Sequence, residues 1–95
     1  MNFWQTHNIV TAQRALRDAD LAILAHDDND AVVRIAAATV HVEQSLTYAP
    51  TTRDLAHLRE TIAHAHNARE LLRYAAYNAA HNQIVDASCH LAKLG

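Results

Sequence analysis

The chain has 95 residues, a formal charge of −2 at neutral pH and a pI near 6.4, and it is 51% hydrophobic but only 5% aromatic. That length gives one domain, over residues 1–95, with a small core. The charge supplies no electrostatic reason to expect a nucleic-acid backbone as partner, and one Gly with one Pro leaves too little turn punctuation for a sheet. What remains is an all-α class: a small antiparallel bundle of three to four helices over about 6–26, 30–48, 52–79 and 82–94, the last two readable as one long bent helix. The single Cys89 and the lack of a charged-then-apolar leader favour a reducing cytoplasm, and no apolar run is long enough to span a membrane. Seven Arg against one Lys, amid so much Ala, suggest a GC-rich gene, and the small single-domain build is that of regulators and inhibitors encoded by bacteria or their phages.

The first helix opens near the aromatic pair Phe3 and Trp4, placed either to plug one end of the bundle or to enter a partner, with Thr6 as its expected N-cap. Ile9, Ala12, Leu16, Ala19 and Ile23 then recur at spacings of 3, 4, 3 and 4, a single seam that Leu21 and Leu24 broaden. The cluster His26, Asp27, Asp28, Asn29 and Asp30 closes this helix and caps the next, because Asn and Asp side chains accept from the free N–H groups of a first turn. An acidic loop is also a calcium motif, but this one lacks the Gly and distal Glu of an EF-hand.

Residues 30–48 form the most apolar stretch. Val32, Ile35, Thr39, Val42 and Leu46 make one stripe, and Val33, Ala36, Ala37 and Val40 make a second beside it, so this helix is expected to lie wedged between neighbours. Pro50 ends it, and Thr51 or Thr52 caps the third helix. There Leu55, Leu58, Ile62, Ala65, Leu72, Ala76 and Ala79 keep a seam that Arg69 interrupts, after which Ala80, Ile84, Ala87, Leu91 and Leu94 continue one position out of phase. Unbroken, 52–94 would run roughly 64 Å at about 1.5 Å per residue, twice the reach of the other helices. A break is therefore expected, at Asn78–Gln83 in preference to His66–Asn67.

Eight histidines are the compositional oddity. His57, Glu60 and His64 share one face of the third helix, and two imidazoles with a carboxylate are suitable donors for zinc or ferrous iron. Relative to the Leu55 and Leu58 seam they lie outward, so the ordinary reading is a polar helix face and the functional one a weak surface zinc site completed by another molecule. No other cofactor is implied. Asp86 and His90 pair at i, i+4; Cys89 beside them continues the Val85 row as a small buried hydrophobe, since residues adjacent on a helix point about 100° apart and cannot act as nucleophile and base. Arg69, Arg73, Tyr74 and Tyr77 form a group able to dock a partner, with Glu43 a candidate mate for Arg69. Glycine-rich phosphate loops and His-Glu-x-x-His are absent. As eight imidazoles titrate, the formal charge swings from −2 toward roughly +6 between about pH 7.5 and 5.5, so association should depend on pH.

These features favour a protein-protein interaction module, a homodimeric regulator or inhibitor joined through its C-terminal half. A histidine-based metal-binding or metal-sensing bundle is the alternative, and a small all-α enzyme using Arg69, Glu43 and Arg73 is third.

Overall fold

The computed structural model describes residues 3–49 and 51–94, without the side chain of Trp4. Four helices occupy them in chain order: α1 Phe3–Leu24, α2 Asp28–Leu46, α3 Thr52–Leu72 and α4 Tyr77–Ala92. The body measures 37 × 19 × 16 Å, so the long axis is about that of α1 itself. α1 packs most closely on α2 and α3 on α4; α2 against α3 and α1 against α4 close the ring, and the diagonal pairs do not meet. The fold is thus two helical hairpins laid side by side.

Both hairpins turn in the same way. After α1, Asp27 N–H donates to Ala22 C=O at 2.8 Å and His26 N–H to Ile23 C=O at 3.0 Å; after α3, Ala76 N–H donates to Leu71 C=O and Ala75 N–H to Leu72 C=O, each at 3.1 Å. These paired 6→1 and 5→2 bonds define a Schellman motif, which needs a left-handed residue just past the helix end. His26 (φ 56°) and Ala75 (φ 54°) take that conformation, where glycine is usual. The helix break in the C-terminal half therefore falls at Arg73–Ala76, not at Asn78–Gln83 or His66–Asn67. Because a non-glycine residue makes the turn, no sequence signal marks it.

The next helix is then started by a side chain or, for α4, without one. Asp27 accepts from Asp30 N–H to cap α2, and Thr51 accepts from Asp54 N–H at 3.0 Å to cap α3, whereas α4 has no side-chain cap bond. Thr6 is not the cap expected of it, because α1 already begins at Phe3. Pro50 lies outside the described residues.

The seam of α1 is buried along its whole length, at Ile9, Ala12, Leu16, Ala19 and Ile23. In α3 the buried row is Leu58, Thr61, Ala65, Ala68 and Leu72, so Leu55 and Ile62 are only half-buried at its edge and Arg69 stands outside it, exposed. The periodicity had a polar member, Thr61, whose hydroxyl donates to His57 C=O at 2.8 Å and so enters the interior satisfied. Ala76 is half-buried and Ala79 exposed, because α4 begins a new phase at Tyr77. Ten of the nineteen buried hydrophobic residues are alanines, which lets helix axes approach closely while burying little area each. Leu16, Ile23, Ile35, Leu58, Ile84 and Leu91 fill the space between them.

Candidate functional site

Histidines line the rims where helices meet. On the α1/α2 rim His41 Nδ1 donates to Asn8 Oδ1 at 2.9 Å, and on the α1/α4 rim His81 Nδ1 donates to Asp20 Oδ1 at 2.6 Å. At the turn end, the His26 ring stacks on Tyr77 at 3.8 Å with 7° between planes, joining the two hairpin turns. Tyr77 also bonds to Asp28, which pushes the phenol pKa up, with burial and the nearby negative charge of the same carboxylate adding to it.

The densest gathering lies between α3 and α4. His57, Glu60 and His64 project from α3 at successive turns, and the Schellman turn at Ala75 folds α4 back so that His90 meets them. His57 Nδ1 and His90 Nδ1 face each other at 3.0 Å, one donating to the other, while His64 stacks on His90 at 5.4 Å between centroids. His64 Nε2 is 3.7 Å from Glu60 Oε2. On its other side His64 Nδ1 donates to Gln83 Oε1 at 2.7 Å, and Asn67 Nδ2 donates to the same oxygen at 3.4 Å. One ligand atom each from Glu60, His64 and His90 lies within 4.8 Å of the others. Burial holds the His90 pKa below the ordinary imidazole value; Lys93, His64 and His57 add to that, and Glu60 opposes it.

Two elements of the expected site change. His57, Glu60 and His64 are not an outward face awaiting another molecule: the two imidazoles are half-buried, and α4 of the same chain supplies the further ring. His90, in turn, lies against those histidines and not in a pair with Asp86. The helical spacing on α3 was readable; the fourth residue was not, because it depends on where the turn falls.

A second feature is the outer face of α2. Val33, Ala36, Ala37 and Val40, expected to pack inside, are all exposed, Val33 at 63% and Val40 at 50%. A ring of four helices gives α2 only two neighbours, and its buried row of Ala31, Ile35, Ala38, Val42 and Ser45 uses them up. Leu21 and Leu24 on α1 are likewise exposed, not part of a broadened seam.

The remaining candidates scatter. Phe3 is 74% exposed, so it does not plug the bundle end, and the Trp4 side chain lies outside the described residues. Arg73 pairs with Glu70 at 3.7 Å, Tyr74 is 80% exposed, and Tyr77 is engaged with His26. Arg69 borders a shallow cleft with Asp28, Asn29 and Val32, near the start of α2, whereas Glu43 sits toward that helix's other end. Cys89 is exposed beside Val85 on the α1/α4 groove, not buried. No described helix is long and apolar enough to cross a membrane. Comparison with protein-family models, with curated proteins and with solved structures gives no match.

Proposed function

We propose that this bundle is a protein-binding module that receives another helix across the outer face of α2. One observation carries the reading: Val33, Ala36, Ala37 and Val40 stand at i, i+3, i+4 and i+7, the spacing of helix-to-helix anchors, on the side of α2 turned away from the core. At about 100° per residue their arc is centred about 180° from the buried row, so intramolecular packing does not account for it. Two alanines between two valines let a second helix approach closely.

A second copy of the chain is the simplest occupant, because one stripe can meet its twin about a twofold axis. A partner's helix competing for the same stripe gives the module a regulator's or inhibitor's role. The C-terminal half no longer provides a reason for dimerisation, since the turn at Arg73–Ala76 folds α4 onto its own chain and leaves no overhanging helix.

The test compares wild type with Val33→Glu/Val40→Glu by sedimentation equilibrium over a wide concentration range, and by capture from the native host. Dimerisation or a captured partner that is lost in the variant, with helicity retained, supports the reading. Identical mass and identical capture in both proteins overturn it.

A further inference from the structure

We infer that the α3/α4 rim is a binding site for one first-row divalent transition metal ion of the zinc class, held by Glu60, His64 and His90. The inference is independent of the α2 face. It stands first on convergence: ligand atoms from three side chains on two helices lie within 4.8 Å of one another, a spacing that small rotamer changes close to a shared ion. A carboxylate with two imidazoles is a donor set for zinc, cobalt or nickel, while magnesium and calcium prefer oxygen throughout.

The second support is the way His64 is held. Gln83 Oε1 receives the Asn67 amide as well as His64 Nδ1, which fixes the Gln83 oxygen as an acceptor and therefore places the His64 proton on Nδ1. The Nε2 lone pair is then free and points toward Glu60, 3.7 Å away. An imidazole that donates through one nitrogen to an oriented oxygen, leaving the other basic, is the arrangement that surrounds metal-bound histidines generally. Gln83 is thus a positioning residue, acting on the ion through His64.

The third support is the close approach of imidazoles. His57, His64 and His90 gather with ring centroids 5.3 and 5.4 Å from His90. Imidazoles gathered from both helices offer neutral nitrogen donors to one ion. His57 Nδ1, 3.0 Å from His90 Nδ1, orients His90 as Gln83 orients His64. Glu60 is the most exposed of the group, so the ion enters from solvent on that side.

The experiment is calorimetric titration of zinc chloride, and separately of magnesium chloride, into metal-stripped full-length protein at pH 7.5. One zinc equivalent with no magnesium heat is expected. His64→Gln and His90→Gln should each weaken zinc binding at least about tenfold, and Gln83→Ala by about tenfold, in the range typical for groups that orient a metal ligand. His66→Gln, exposed on the same helix, controls for scattered surface imidazoles and should bind as wild type does. Helicity of each variant by circular dichroism separates lost ligands from lost fold. A cobalt titration of the wild type gives an independent readout, its visible absorption reporting nitrogen and oxygen ligation in a site of low symmetry. Absence of zinc heat in the folded wild type, or equal affinity in wild type, His64→Gln and His90→Gln, overturns the assignment.

Discussion

Ala75 is a strained residue at the turn that brings His90 to α3, and replacing it with glycine should strengthen the protein. A left-handed conformation costs an L-residue about 1–2 kcal/mol. Glycine removes that cost but loses more backbone freedom on folding, about 0.5–1 kcal/mol relative to alanine. The net expectation for Ala75→Gly is a gain of about 0.5–1 kcal/mol. In a domain of this size 1 kcal/mol moves Tm by roughly 4–8 °C, so a rise of about 2–8 °C should follow. The matched control is Ala63→Gly, at an exposed interior position of α3, which should lower stability by about 1 kcal/mol because the same entropy is lost with no strain to relieve. Thermal and urea unfolding followed by circular dichroism measure both. The same substitution thus takes opposite signs twelve positions apart. If Ala75→Gly is as damaging as Ala63→Gly, the backbone at Ala75 is not left-handed and the Schellman description of this turn is wrong.

Thr51→Ala removes the oxygen that receives Asp54 N–H and should cost about 1 kcal/mol in urea unfolding, with the slope unchanged. Leu16→Ala, at a fully buried site, should cost about 2–5 kcal/mol, a large share of the stability of a bundle this small, read as a lower urea midpoint. The folded state holds His90 below the ordinary imidazole value of 6.5, so as pH falls through that value the unfolded chain takes up the proton first. This contribution makes stability highest above about pH 6.5 and lets it decline as pH drops toward the folded value. His90→Gln should flatten that part of a Tm-against-pH curve, and an unaltered curve would refute the assignment of the effect to His90.

How far the sequence could be read depends on whether each element announces itself locally. The α1 row from Ile9 to Ile23 is apolar, evenly spaced and buried as expected, because one helix facing two neighbours needs only one stripe. The acidic run at 27–30 and Thr51 cap as their chemistry demands. The turn at Ala75 was illegible because alanine is the strongest helix former, and only tertiary packing imposes its positive φ. From that single residue follow the shorter third helix, the new phase at Ala76 and Ala79, and the meeting of His90 with His57 and His64. Arg69 looks like an interruption because an apolar series read through Ile62 and Ala65 reaches it four residues on, whereas the buried row passes through Thr61 and steps from Ala65 to Ala68. The two stripes of α2 show another limit, since apolar periodicity says which positions form a face and not whether a neighbour covers it.

The alanine-rich interior has a consequence for how this chain can change over time. Where helices cross on methyl groups, any larger replacement must push two backbones apart, and such overpacking typically costs about 1–3 kcal/mol. The ten small positions inside this protein therefore tolerate little change in volume and act as a gauge that fixes the distance between its rods.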